Sequence, residues 1–344
     1  MAGHMSGSPI VTLTPAPTLD RTYFVSDLVS GAVNRADNVG EELAGKGINV
    51  SRGLHLAGIS APGIIPIGNS DPSVLVRTGS AEFLQPLWVD GTLRVSTTIL
   101  EKGGTTTKIN ETPRPLSHDD WNAVVELTEK TVLETGAKWL VIAGALPTYK
   151  DSGEFVSLQP IFDKMKELGV KTALDTSGAP LGYWGKAGAA TIMKPNAEEL
   201  AFLVGRNLTT LGDVISAARE LNGHGVEVVL ASLGADGMVA VTKDHAWSAR
   251  TAPVKVINTV GAGDATLAGF LSAVVSHPIQ PGEDDFGVGY NVPLGLKTAV
   301  QWGATAVTQP TSGLTSVDNL PEGFLNLTPD FNELLDEPAT GKPH

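Results

Sequence analysis

Asn258-Thr-Val-Gly-Ala-Gly-Asp264 runs straight into an apolar stretch, Ala265 to Val275, and this junction decides the reading of the chain. Glycine at 261 and 263 lets backbone come close to a ligand. The first N–H groups of a helix lack an internal partner and carry positive partial charge, so a helix opening across Gly261, Ala262 and Gly263 can cradle an anion. Asp264, in the first turn, could take a proton from a hydroxyl held beside that cradle. The plain alternative is that Asp suits any first helical turn and Gly-x-Gly occurs in many loops.

Working outward, short apolar runs bounded by Gly, Pro, Asp or Ser predict buried strands at Pro9 to Leu13, Lys138 to Ala143, Lys171 to Leu174, Ala190 to Met193 and Val226 to Ser232. Helical patterns lie between and after them. Ser117-His-Asp-Asp120 is a capping box that opens a helix through Glu134. Others span Leu158 to Leu168, Asn196 to Val204, Ala265 to Val275 and Leu294 to Val307. This alternation predicts an α/β fold, a mostly parallel central sheet with helices on both faces. Two stretches break the rhythm, about 21–42 and 83–111. Thr-, Val- and Arg-rich and without helical period, they predict a small inserted β-sheet lid, with Glu101-Lys-Gly-Gly104 as a hairpin turn. The α/β body is placed at 9–314. Residues 1–8 are expected to be a tag or disordered start, and 320–344 a frayed C-terminal tail.

The 344 residues carry a net charge of −13, with 42% apolar residues and no cysteine. The apolar share supports a real core and excludes global disorder. The acidity argues against general nucleic-acid or membrane-surface binding, so any anion site must be locally built. Without cysteine there are no disulfides or thiolate metal sites. With no apolar run near 18 residues, the expected location is cytoplasmic.

Four further segments could carry chemistry. Ala44-Gly-Lys-Gly-Ile-Asn49 opens an apparent helix, Asn49 to Leu56. Gly45 and Gly47 would let the chain approach a polyol, and Asn49 can both donate to and accept from hydroxyls. It is not a Walker A loop, whose spacing is absent. Asp20 follows the first strand, well placed for ligand hydroxyls, although a lone Asp there also suits a turn. In Lys194-Pro-Asn196-Ala-Glu-Glu199, Asn196 and Glu199 could organise a hydrated Mg²⁺, and they also spell an ordinary capping box. Ala231-Ser-Leu-Gly-Ala-Asp-Gly237 could meet a nucleotide through Ser232 and Gly234, or simply turn into the hairpin Met238 to Arg250.

Taken in order, Gly45-Lys-Gly-Ile-Asn49, Asn196 to Glu199 and Gly261 to Asp264 resemble the ribokinase-like (phosphofructokinase B) carbohydrate kinase family, from about Ile10 to Gln309. Leu13 to Asp20, Gly45 to Arg52, Lys108-Ile-Asn-Glu111, Asp175-Thr-Ser-Gly178 and Asn258 to Gly261 look like its 1-phosphofructokinase and tagatose-6-phosphate kinase branch. That resemblance implies ATP with Mg²⁺ as phosphoryl donor, with a K⁺ requirement left open. It also implies a sugar phosphate as acceptor and a homodimer formed through the β lid. By position, Asp264 would be the general base and Gly261, Ala262 and Gly263 the anion hole. Asp20, Gly45, Lys46, Gly47 and Asn49 would hold the sugar. Lys194, Asn196, Ser232, Gly234, Asn258, Thr259, Gly261 and Gly263 would face the nucleotide, and Asn196 and Glu199 its metal, through water.

The acceptor's phosphate needs cations. Arg94 matches the first position of the branch's lid strand, and Arg35 and Lys108 are further candidates. Here Val95-Ser-Thr-Thr98 replaces the usual Val-Asn-Val-Lys, and Gly144-Ala-Leu-Pro147 replaces Gly-Ser-Leu-Pro. These changes touch the acceptor side and leave Asp264 and its loop intact. The leading expectation is therefore phosphorylation of fructose 1-phosphate to the 1,6-bisphosphate. Alternatives are tagatose 6-phosphate, an unphosphorylated sugar or nucleoside, and a non-catalytic sugar or nucleotide binder. A dinucleotide dehydrogenase is set aside, since no Gly-x-Gly-x-x-Gly follows the first strand.

Overall fold

The protein is described by a computed structural model covering residues 7–309 and 314–341. β1 (Ile10–Leu13) begins the central sheet. β2 (Thr18–Val25) and β3 (Asn38–Ala44) leave it at once, and α1 (Lys46–Leu56) returns. β4 (Gly63–Gly68), the short α2 (Val74–Arg77) and β5 (Leu84–Val89) follow, then β6 (Arg94–Glu101) and β7 (Thr106–Asn110). The alternating part holds α3 (His118–Thr135), β8 (Trp139–Ala143), α4 (Gln159–Glu167), β9 (Lys171–Asp175), α5 (Gly178–Ala187), β10 (Ile192–Met193), α6 (Ala197–Val204), β11 (Leu208–Thr210) and α7 (Leu211–His224). The chain closes with β12 (Val228–Ser232), β13 (Met238–Val241), β14 (Ala246–Thr251), α8 (Ala262–Ser276), α9 (Val292–Val307), β15 (Gly323–Asn326) and β16 (Leu334–Ala339).

Ten strands form the main sheet, in the order β15-β14-β13-β12-β10-β9-β8-β1-β4-β5. From β12 to β5 neighbouring strands are parallel, and β13, β14 and β15 add an antiparallel meander. The expected α/β architecture is present. The apolar runs expected as strands become β1, β8, β9, β10 and β12, buried between two helical layers as parallel strands require. Leu140, Ile142, Leu174 and Val229 pack with α3, α4 and α7, while Ile10, Val141, Val228 and Leu230 pack with α1, α8 and α9.

The lid is a four-stranded sheet, β3-β2-β6-β7. Two boundaries differ from expectation. β5 lies within the stretch expected to be lid, yet it pairs in parallel with β4, and Leu84 and Val89 at its ends are buried. β2 starts at Thr18, so the lid leaves the body only four residues after β1. α5 and α7 carry no expectation from sequence, although Thr210 and Asp213 form a capping box at the start of α7. α1 opens at Lys46 rather than Asn49.

Within the C-terminal stretch expected to fray, the described residues 320–341 include two paired strands. β15 pairs with β14 along the main sheet and β16 pairs with β11, because Leu335 and Ala339 find apolar cover there despite a polar composition. The expected tag lies mostly outside the described residues, which begin at Gly7. Among the described residues no helix is long and apolar enough to cross a membrane.

Candidate active site

In a parallel sheet the carboxyl ends of the strands form a natural ligand crevice. Here that edge carries Asp175 at the end of β9, Lys194 just after β10 and Ser232 at the end of β12. The glycine loop after β3 folds over the end of β1, and it must be glycine. A Cβ on Gly47 would stand 2.5 Å from Thr14 Oγ1 and 2.8 Å from the Leu13 carbonyl oxygen. Gly45 has φ 149°, and its Cβ would meet the Thr14 methyl at 2.5 Å. α1 therefore starts flat against the strand end and aims its first turn across the edge.

That first turn meets the first turn of α8. Asn49 Nδ2 donates to Asp264 Oδ2 over 2.7 Å. Asp264 is buried, 6% exposed, at the third position of α8, whose N-cap Gly261 is left-handed at φ 80°. Burial, and then the Asp175 charge, raise its carboxyl from 3.8 to about 6, against the opposing pull of Lys46, Asn49 and Lys194. A carboxyl poised near neutrality suits proton abstraction.

Asp175 anchors two cations. Lys46 Nζ lies 2.6 Å from its Oδ1 and Lys194 Nζ 3.0 Å from its Oδ2. Burial pushes the Asp175 carboxyl up, but Lys194 and Lys46 outweigh it and hold the group below its ordinary value. Lys46 in turn stays firmly charged. Burial works against its ammonium, and Asp175 and Asp264 more than compensate. Lys194 is 4% exposed, and its Nζ stands 3.1 Å from where a Cβ on Gly263 would be. The structure thus places a cation directly over the Gly261–Gly263 turn. Asp175 is the residue sequence reasoning passed over as a site member. Its signals were its place just after a predicted strand and at the head of the Asp175-Thr-Ser-Gly178 stretch.

The loop before α8 is held by its own side chain. Asn258 Oδ1 accepts from the Val260 N–H, and the N–H groups of Ile257 and Asn258 donate to the Val307 carbonyl on α9. Thr259 is exposed at the mouth. Across the crevice, Asn196 bridges Ser232, while Asn196 and Glu199 cap α6 reciprocally at 2.8 and 2.9 Å. Capping uses Asn196 Oδ1 and Glu199 Oε2, and Glu199 Oε1 takes no part in it. Gly234 is exposed in the turn after Ser232, with φ 60°.

On the lid, cross-strand register puts Asp20 on the face shared by Arg94 and Lys108. Thr18 pairs with Arg94, Asp20 with Ser96, and Thr22 with Thr98, which in turn pairs with Lys108. Burial and the nearby Glu42 raise Asp20 to about 6, opposed by Arg94, Lys108 and Arg52. Its Oδ1 is buried and has no hydrogen-bond partner among the described residues. Arg94, expected to face the acceptor's phosphate, has backbone partners in this structure. Its guanidinium donates to the carbonyls of Ala16 at 2.8 Å, Pro17 at 3.2 Å and Glu111 at 3.1 Å, clamping the lid's exit and return. Arg35 lies on the exposed β2–β3 connection. Among the described residues it makes no hydrogen bond or ion pair with the site.

The arrangement offers a buried carboxyl between two glycine-rich helix starts, a cation over one of them, and a carboxylate-bearing lid. Comparison with known proteins points the same way. The model of the pfkB family carbohydrate kinases matches residues 16–318. The chain is 35% identical to the 1-phosphofructokinase of Haloferax volcanii over 275 residues, covering 77% of this chain and 83% of the relative. It is 31% identical to the Escherichia coli 1-phosphofructokinase over 313 residues, covering 89% and 93%. Among solved structures it resembles phosphofructokinase-2 from Escherichia coli in complex with potassium. The TM-score is 0.76 and the identity 27%, with 90% of this chain and 96% of that chain covered. The same enzyme in complex with fructose-6-phosphate matches with a TM-score of 0.73 and 26% identity, covering 89% and 95%.

Proposed function

Since this chain belongs to the pfkB family of carbohydrate kinases, we propose that it carries the γ-phosphoryl group of ATP to the 6-hydroxyl of fructose 1-phosphate. Family membership makes it a phosphotransferase with an alcohol group as acceptor, served by ATP and a divalent metal. The observation that carries the specific reading is the Asn49–Asp264 pair. A buried carboxyl of pKa about 6 is held where the sugar-side and anion-side helix starts meet.

The residues present fit ATP with Mg²⁺. Lys194 and the α8 helix start supply positive potential, and the glycines at 261 and 263 keep side chains out of the cradle. Lys194, Asn196, Ser232, Gly234, Asn258 and Thr259 would hold the nucleotide, and Asn196 and Glu199 its Mg²⁺ through water. Bound there, MgATP supplies the phosphoryl group and a cation that neutralises its charge.

Asp20, Gly45, Gly47 and Asn49 orient the sugar. Asp264 removes the hydroxyl proton as the new oxygen–phosphorus bond forms. The Gly261, Ala262 and Gly263 turn and Lys194 stabilise the charge that builds on the transferred group. Lys46 is held beside Asp264 by Asp175 and keeps local potential positive. Lys108 faces the acceptor's phosphate, with Arg94 fixing the lid that carries it. Exposed Val39 and Ile109 on the lid face opposite Asp20 support pairing of two copies through their lids. A cysteine-free chain fits the reducing cytoplasm.

ADP production tests the acceptor, measured with fructose 1-phosphate, tagatose 6-phosphate, fructose 6-phosphate and unphosphorylated fructose. The highest kcat/KM is expected for fructose 1-phosphate. A preference for any other sugar overturns the proposed acceptor, and no turnover with any of them overturns the catalytic reading.

A further inference from the structure

The family match ends at residue 318, yet the chain stays on the body beyond it. β16 is pinned along its length. Leu335 and Ala339 are buried, Ala339 pairs with Leu208, and the N–H groups of Thr340 and Gly341 donate to the side chains of Glu198 and Asn207. In between, β16 crosses the turn Gly234–Asp236. The Asp336 N–H donates to Asp236 Oδ2 at 3.0 Å, and the Glu337 N–H to the same oxygen at 3.4 Å.

Pinning sets where the Glu337 side chain goes. Its Oε2 stands 2.6 Å from the position a Cβ on Gly234 would take, so it fills the space that glycine leaves open. Among the described residues no cation pairs with it. Nearby Arg250 is directed to Glu333 at 3.6 Å. An exposed carboxylate therefore stands against Gly234 in the loop that follows Ser232, close to Asp236, which the backbone N–H groups of Asp336 and Glu337 meet.

We propose that Glu337 is a nucleotide-selectivity residue, a fixed negative charge on the rim of that loop that weakens binding in proportion to the nucleotide's own negative charge. This rests on the reading of Ser232 and Gly234 as nucleotide-facing. A carboxylate cannot donate a hydrogen bond, so towards a polyphosphate it acts by repulsion alone. Mg²⁺ cancels two of the charges on ATP. The cost thus falls mainly on metal-free ATP, and the site favours the metal complex that can react over the free nucleotide that cannot.

Isothermal titration of the full chain decides it, with wild type, Glu337→Gln and Glu337→Asp as samples and adenosine, MgATP and metal-free ATP with a chelator as ligands. Glu337→Gln should tighten metal-free ATP about five- to tenfold and MgATP about two- to threefold, and leave adenosine unchanged, as through-solvent Coulomb repulsion at moderate salt requires. Raising the salt should shrink both gains, and Glu337→Asp should stay near wild type. Equal shifts for adenosine and ATP, or gains that ignore salt, overturn the proposal, because packing changes act in that way. If Glu337→Gln changes nothing while Gly234→Val weakens MgATP, the loop reading stands and the role of Glu337 falls. If Gly234→Val also leaves MgATP binding intact, the loop does not face the nucleotide, and the proposal falls with it.

Discussion

Asn49 on α1 donates to Asp264 on α8 over 2.7 Å, tying the acceptor-side loop to the group that would take the acceptor's proton. The bond favours the charged carboxylate, while burial and Asp175 oppose it, and the balance lies at about 6. A base works only when deprotonated. The acid limb of kcat/KM is therefore expected to break near pH 6, with activity lost below it. Asn49→Ala removes a stabilising donor and should move that break upwards. A pH–rate profile of both proteins checks the direction, and an unmoved break shows that the bond does not govern the titration.

Asp264→Asn should lower kcat by about 10²-fold or more, the usual scale for a lost general base. It should also stabilise the fold at neutral pH. A carboxyl whose folded pKa lies above its unfolded value contributes stability below the unfolded pKa and loses it as pH rises through the folded one. Between 3.8 and about 6 the difference corresponds to about 3 kcal/mol. Thermal melts are expected to show Asp264→Asn above wild type by a few degrees at pH 8 and close to it at pH 4. A variant that melts lower at pH 8 contradicts the charge penalty.

Asp175 serves the opposite end of the balance. Asp175→Asn leaves Lys46 and Lys194 facing each other without their shared counterion, which should cost about 3 kcal/mol, since breaking a buried pair strands a charge. The same change removes the repulsion that helps to raise Asp264, so the acid limb should move down. Chemical denaturation and the pH profile measure the two effects separately. Full stability together with an unchanged profile argues that Asp175 is a bystander.

Arg94 and Lys108 should separate by kind of defect. Arg94 holds three backbone carbonyls, of which those of Ala16 and Pro17 are partly buried, so Arg94→Ala leaves these two acceptors unmet and should cost about 1–3 kcal/mol in stability. Lys108 is exposed on the lid face that bears Asp20. Lys108→Met should raise KM for a phosphorylated acceptor severalfold and leave the melting temperature alone. Reversed outcomes would exchange the two roles.

The sequence disclosed the sheet and the chemistry unequally, for physical reasons. Parallel strands are apolar on both faces, so β1, β8, β9 and β12 stood out as short hydrophobic runs. The Gly261–Asp264 turn was legible because a tight backbone approach leaves glycines behind. Asp175 was not, because its role depends on Lys46, 129 positions away, and on Lys194 across two strand ends. The carbonyl partners of Arg94 were not legible either, because the lid's exit and return set them. β15 and β16 escaped notice because their cover comes from β14 and β11, and composition alone records only polar residues.

β15 has a consequence for anyone shortening this chain. It supplies the last ladder of the main sheet, pairing Gly323 to Asn326 with Thr251 to Ser248. Cutting at the family boundary would bare the β14 backbone and uncover the surface beneath Leu325. An unpaired sheet border of that kind is a template for chain-to-chain association. A trimmed protein should accordingly precipitate or multimerise in the expression host even if its crevice is assembled correctly, and its insolubility would say nothing about catalysis.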